Sequence, residues 1–172
     1  MNKQKKVEDM KKTYKLLSKW TYWYHSTTDY NWKRDSYKKI YTICTLSDFW
    51  KINNFFDTQK LLHGYLFIMK DKIMPIWEDK ENKNGGCWSF KIKENYGYEF
   101  YLNLSALLIG GTLTRSTNDN KYINGISVSY KNKFFYIKIW IKSKNMKKFS
   151  LFSKSFQNIE KKYSILKLWK SY

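Results

Sequence analysis

The sequence predicts an α+β domain: a mostly antiparallel sheet with three amphipathic helices over one face. Three observations carry this. Short runs of aromatic and β-branched residues recur along the 172-residue chain. Between them lie three longer segments whose apolar residues return every three or four positions. With one proline and seven glycines, no flexible linker divides the chain, so the elements belong to one domain. Their order is strands, helix, strands, helix, hairpin, helix, strand, which suits helices gathered on one side of a sheet.

Each element has its own signal. Residues 19–26, KWTYWYHS, read as a strand of bulky aromatics, and 36–44, SYKKIYTIC, as a second. At 45–56, TLSDFWKINNFF, the period changes. Thr45 or Ser47 can cap a helix whose first turn holds Asp48, where a carboxylate is favoured. Phe49, Ile52 and Phe56 share one face of it, and Leu46 and Trp50 another. Residues 64–70 and 87–92 read as strands on either side of a polar loop. Residues 98–111 read as a helix stopped by two glycines. Phe100, Leu104, Leu107 and Leu108 make one apolar stripe, and Leu102, Ala106 and Ile109 a second, so the helix either sits deep in a core or offers one stripe to a partner. Residues 125–143 form two strands turning at Asn132. Residues 147–163 form a third helix, with Phe152, Phe156, Ile159 and Tyr163 at helical spacing, and 164–172 a final strand.

The formal net charge of +19 draws polyanions such as nucleic acid or anionic lipid. Heavy use of Lys, Asn, Tyr and Ile matches A/T-rich codons, which accounts for part of that charge without any function. Lysines interrupt every apolar run well before the ~18 residues of a membrane span. The basic start, MNKQKKVEDMKKTYK, has no apolar core behind it and reads as an N-terminal arm over 1–16, followed by a single domain over 17–172. Cys44 and Cys87 are too few for a disulfide framework, which fits a reducing cytoplasm. No ligand spacing links them to His25 or His63, so no metal or other cofactor is expected, and both histidines are assigned structural roles.

No catalytic constellation is visible. The chain has no P-loop, no G-x-G-x-x-G and no nucleophile elbow. Glu78 and Asp79 are adjacent, so they point to opposite sides and cannot cooperate as an acid/base pair. The reading is a binding protein, not an enzyme. Trp20, Trp23, Trp88 and Trp169 lie within strand patterns and are assigned to packing. Trp32 and Trp77 lie in polar loops. Two loop indoles can sandwich a planar ring, and a cationic ring gains most from their π faces. Glu78, next to Trp77, is placed to accept two N–H bonds from a guanine edge.

Residues 77–88, WEDKENKNGGCW, resemble the W-E-x-x-x-N-x-x-G-G-x-W signature of the translation initiation factor 4E family, the cytoplasmic mRNA cap-binding proteins. Residues 17–35, TLSDFW at 45–50, LLIGG at 107–111 and KNKFFYIKIW at 131–140 resemble further family segments in the same order. The resemblance implies a curved sheet of about eight strands with three helices on its convex back. It implies that Trp32 and Trp77 stack on 7-methylguanine, that Glu78 reads its N1 and N2 hydrogens, and that Trp140 meets the N7-methyl group. Lys131 falls at a phosphate-binding arginine and Lys133 at a frequent lysine. Cys87 stands where relatives carry an arginine near the phosphates, and Tyr136 where they carry a lysine; Lys138, on the same strand face as Tyr136 and Trp140, is a substitute cation. Leu46, Trp50, Leu102 and Gly110 fall where the family binds a Y-x-x-x-x-L-φ helix of a scaffold or repressor protein. Tyr14 and Lys15 replace the usual His-Pro before the first strand.

The implied function is binding of the 7-methylguanosine cap of mRNA and recruitment of a scaffold partner to start translation, by a monomer that needs no membrane. Three other readings remain at this level. They are a cap-binding repressor or decoy, an interaction module without cap specificity, and a general single-strand RNA binder using lysines and aromatics.

Overall fold

The computed structural model describes residues 14–56, 58–163 and 165–172. Seven strands form one antiparallel sheet: β1 (Lys15–Ser26), β2 (Lys38–Thr45), β3 (Gly64–Lys70), β4 (Gly86–Lys93), β5 (Ile123–Lys131), β6 (Phe134–Ile141) and β7 (Leu166–Ser171). Their order across the sheet is β2-β1-β3-β5-β6-β4-β7. Helices α1 (Leu46–Phe55), α3 (Glu94–Ile109) and α4 (Lys154–Lys162) cover the convex face, with α2 (Thr58–Leu61) a single turn. All seven strand segments read from the sequence are present. Among the described residues the sheet has seven strands, in keeping with the about eight that the family resemblance implies. Register shifts in β1 and β5 bend those strands and curve the sheet.

The first thirteen residues of the expected 1–16 arm lie outside the described residues. Its last positions already belong to the domain, since Lys15 opens β1 and the Tyr14 carbonyl accepts the Leu46 N–H at 2.9 Å.

Side-chain alternation divides the sheet. Trp20, Tyr22, Leu66, Ile68, Phe90, Ile137 and Ile139 point to the helices and join Phe49, Phe100, Leu104 and Phe156 in the main core. The intervening residues point to the concave face, where Phe67, Met69, Ile73, Met74 and Trp140 form a second, smaller cluster. Trp20 and Trp88 are buried, and Trp169 packs on Trp88 with ring centroids 5.8 Å apart.

Local chemistry sets the helix ends. Thr45 and Asp48 make a reciprocal capping box at α1: Thr45 Oγ1 accepts the Asp48 N–H, and the Asp48 carboxylate accepts the Thr45 N–H. The α3 helix begins at Glu94, four residues before the predicted start, because its first turns cross β6 closely. A Cβ on Gly97 would lie 1.8 Å from the Phe135 ring, so a helix-weakening glycine is what permits the contact. Its end is at Ile109, and Gly111 supplies the left-handed residue at φ 67°. Of the second stripe, Ile109 is buried in the core, Ala106 is exposed and Leu102 half-buried, so that stripe is divided between core and surface. The third predicted helix shortens to α4, because Ser153 caps it by accepting the Phe156 N–H, and 3-10 turns occupy Lys144–Lys147 and Phe149–Leu151.

Asn53 ties α1, α3 and the sheet together. Its amide donates to the Tyr22 hydroxyl and to the Phe49 carbonyl, each at 2.8 Å, and its oxygen accepts the Tyr101 hydroxyl at 2.9 Å. Burial pushes both phenols up from their ordinary pKa. Asn53→Leu keeps the volume but removes the polar partner that the Tyr22 and Tyr101 hydroxyls share in the core. It should lower the unfolding free energy by about 2–4 kcal/mol in urea titrations followed by tryptophan fluorescence; an unchanged midpoint would mean that the network contributes nothing net.

Candidate functional site

The concave face carries a pocket of about 330 Å3, walled by Trp32 and Trp77 from two different loops and floored by Phe67 and Trp140. Trp32 is 49% exposed and Trp77 43%, so both indoles keep much of their surface open.

Trp32 sits in a loop built from side-chain turns. Asp29 accepts the Asn31 N–H at 2.8 Å and Asn31 accepts the Lys33 N–H at 3.0 Å, which holds the loop without regular structure. Behind it, the His25 ring lies parallel to the indole at 4.0 Å. His25 is fully buried and its Nε2 is 3.0 Å from the Asn31 carbonyl. Tyr65 meets Trp32 edge-on at 4.9 Å. One face of Trp32 is thus backed by an aromatic, and the open remainder fronts the pocket.

The Trp77 loop is held by a denser set of bonds. Asp79 accepts the N–H groups of Met74 at 3.0 Å and Glu81 at 2.9 Å. Buried Asn82 donates to the carbonyls of Met74 at 2.9 Å and Ile76 at 2.8 Å. Asn124 on β5 donates to the Glu81 carbonyl at 2.7 Å and to Asn82 Oδ1 at 2.9 Å, fastening the loop to the sheet. The two glycines at the exit are required by close approach. A Cβ on Gly85 would lie 1.8 Å from the Ile141 carbonyl oxygen, and one on Gly86 2.4 Å from that of Lys170. Glu78 and Asp79 therefore divide the work: Asp79 is spent on the loop, while Glu78 stays exposed. Burial, with the Glu78 carboxylate adding to it, pushes the Tyr37 phenol up to about 12, so Tyr37 stays a neutral wall residue near that carboxylate.

Trp140 is buried beneath Trp77, with centroids 5.2 Å apart, and its Nε1 donates to Ser127 Oγ at 3.0 Å. Lys138 and Tyr136 line the same pocket, and the Lys138 ammonium lies 5.4 Å from the Trp77 ring centre. Lys131 lines a wider trough continuous with it, whereas Lys133 is in the β5–β6 turn at φ 63°, outside both linings.

Sequence reasoning missed Tyr172. Its ring stands edge-on to Trp77 at 3.9 Å and 5.7 Å from Trp140, and its N–H donates to the Gly85 carbonyl at 3.2 Å. Cys87 is fully buried beside it. Burial pushes the Tyr172 phenol well above its usual range, with the Cys87 thiol next to it adding to the shift. The small residue at position 87 was the available signal, because it leaves room for a ring. His25, Tyr37 and Tyr65 had no signal beyond aromatic content.

On the opposite face, Trp50 is 48% and Leu46 38% exposed, Gly110 is exposed, and Leu102 is half-buried. The Tyr98 and Tyr101 hydroxyls of α3 bond to Asn53, one turn after Trp50, so α1 and α3 lie side by side there.

The comparison with known sequences matches residues 15–171 to the family described as Eukaryotic initiation factor 4E. The chain belongs to that family. It is 30% identical over 145 residues to the eukaryotic translation initiation factor 4E of Candida albicans, covering 78% of this chain and 68% of that protein. The eukaryotic translation initiation factor 4E homolog of Acanthamoeba polyphaga mimivirus is 44% identical over 63 residues, 37% of this chain and 23% of its own length. The Eremothecium gossypii factor is 32% identical over 135 residues, 74% of this chain and 62% of the relative. The chain thus spans less than two thirds of the length of the last two relatives. Ascaris suum eIF4E-3, solved with m7G cap, shares the fold with a TM-score of 0.77 at 21% identity over 94% of this chain and 92% of that one. Caenorhabditis elegans eIF4E-3, solved with the 4E-binding protein Mextli and cap analog, does so with a TM-score of 0.77 at 23% identity over 93% of each.

Asn82 holds much of the Trp77 loop. Asn82→Ala should lower stability by about 2–4 kcal/mol, since it leaves two buried carbonyls and the Asn124 amide short of partners. Hydrogen exchange should quicken first at residues 74–85; uniform quickening would show that the loop and sheet open together.

Proposed function

We propose that this chain binds the 7-methylguanosine cap of mRNA in the concave pocket and a helical partner on the convex face, as a non-enzymatic cytoplasmic initiation factor. One observation carries the first half: two half-exposed indoles from separate loops wall a single pocket, and the exposed Glu78, next to one of them, acts electrostatically on Tyr37 of the same wall. Methylation at N7 makes guanine cationic, and a cation between π faces gains about 0.5–2 kcal/mol per contact when desolvated. In this reading Trp32 and Trp77 stack on the base, and Glu78 accepts its N1 and N2 hydrogens. Trp140 meets the methyl group, and Lys131, Lys138 and Tyr136 meet the phosphates, with Lys133 further out. The relatives solved with cap and with cap analog share this fold, which supports the reading.

The partner half rests on an apolar patch. Trp50 and Leu46 are exposed on α1, and Tyr14, whose backbone is bonded to Leu46, is exposed beside them. Leu102 and Gly110 of α3 complete the surface for a Y-x-x-x-x-L-φ helix. A cap-binding repressor would share the pocket; the exposed patch favours a protein that also recruits.

Capture on 7-methylguanosine resin with elution by free cap analogue tests the pocket. Trp32→Ala, Trp77→Ala and Glu78→Ala should each weaken cap-analogue binding about tenfold or more, by ~1–3 kcal/mol, with circular dichroism unchanged. Near-wild-type affinity in all three would sink the cap reading.

Trp50→Ala should lose ~2 kcal/mol or more of affinity for the helical peptide. Cap affinity should stay within about twofold, because the two surfaces lie on opposite sides of the sheet and share no partners. Unfolding of this variant would instead assign Trp50 to the core.

A further inference from the structure

The cap pocket opens into a second and larger depression. This trough, of about 1040 Å3, shares Tyr65, Ser129, Tyr136 and Lys138 with the pocket and runs on over β4 to β7. The sheet register shows how it is built. On the concave face Trp140 pairs with Cys87 and Cys87 with Lys170; Lys138 pairs with Ser89; Tyr136 pairs with Lys91. Lysines therefore stand on β6, β4 and β7 in staggered rows, separated by serines and tyrosine. From β5 to β7 is three strand steps of ~4.8 Å, roughly 14 Å.

The charge is one-sided. Lys91, Lys131, Lys138, Lys167 and Lys170 line the trough, and no Asp or Glu does. Only Lys167 has an acidic partner, Glu160 at 2.8 Å, so it is turned to the helix face. The other four have no carboxylate in ion-pair range among the described residues. Lys91 and Lys138 rest over the Phe134 and Trp77 rings, at 4.1 and 5.4 Å from their centres, which does not neutralise them; positive side chains without carboxylates in one concavity repel each other unless an anion shares the space. Tyr65 and Tyr136 add ring surface at the end nearest the pocket.

We propose that this trough binds the RNA chain that follows the cap, with Lys91 and Lys170 taking its phosphates beyond the triphosphate. The proposal rests on the cap reading of the adjoining pocket. Continuity with that pocket favours RNA, because a chain leaving the stacked base over Tyr136 and Lys138 enters the trough directly. Its concave shape and tyrosine rings suit a sugar–phosphate chain with unstacked bases. The lysines also answer for Cys87 and Tyr136, where the phosphate end lacks the cations that the family signature leads one to expect.

The experiment compares three probes at varied salt: a cap dinucleotide, a capped RNA of about ten nucleotides (long enough to cross an OB-fold-sized site), and the same RNA uncapped. Wild-type protein should bind the long capped RNA several-fold tighter than the dinucleotide at low salt. The double variant Lys91→Ala/Lys170→Ala should lose that advantage, bind the dinucleotide as wild type does, and show a log–log salt slope for the long RNA lower by roughly 1.4, at ~0.7 per phosphate contact. No advantage for the longer RNA in wild type, or an advantage that survives the double substitution, overturns the trough and leaves the cap reading intact. Equal displacement of the RNA by polyglutamate also overturns it, since the surface would then bind any polyanion. If wild type fails to bind the dinucleotide, the cap reading falls, and the trough stands only if the double variant weakens binding of the uncapped RNA.

Discussion

The hydrogen bonds that fasten the Trp77 loop to β5 are the constraint on which the site depends. The loop has no regular structure, and residues 71–85 must cross the end of the sheet with their backbone groups satisfied. Asp79 and Asn82 do this from within the loop, and Asn124 does it from the strand below. The glycines then let the exit slide under the Ile141 and Lys170 carbonyls, closer than any Cβ allows. An indole and a carboxylate on so irregular a segment would otherwise wander, and stacking between two mobile rings would lose its advantage to the entropy of ordering them. The signature W-E-D-K-E-N joins two kinds of residue: Trp77 and Glu78 turned outward, Asp79 and Asn82 turned inward.

The same sheet serves two faces because strand alternation gives each an independent set of side chains. The helix side is closed by large aromatics, with Asn53 linking α1, α3 and β1 through hydroxyls that have no route to water. The concave side has only a small apolar cluster under the pocket and becomes polar and basic toward β7. This division places the indole and lysine chemistry on one surface and the apolar Leu46 and Trp50 patch on the other.

Cys87 and Tyr172 form a local substitution of one wall for another. A small buried thiol leaves space on the concave face, and a ring two residues beyond Lys170 fills it, edge-on to Trp77 and close to Trp140. A phenol there supports the indole through apolar contact but brings no charge, since burial keeps it protonated. The positive charge at this end of the site sits instead on Lys138, Lys91 and Lys170, on three neighbouring strands.

The sequence by itself determined the elements and the actors. Strand runs, a helix cap at Thr45 or Ser47, the turn at Asn132 and the W-E-x-x-x-N-x-x-G-G-x-W signature are local patterns. Local patterns survive translation into structure because backbone geometry and neighbouring side chains decide them. The early start of α3 escaped because Gly97 opposes a helix locally, and only its contact with Phe135 overrules that. The burial of Ile109 escaped because a helical stripe does not say which neighbour covers it. Tyr172 against Trp77, His25 behind Trp32, and the lysine rows across β6, β4 and β7 were settled by strand order, which brings residues distant in the chain into adjacent rows. Pairing between distant strands depends on which faces bury together, and no stretch of sequence holds that information alone.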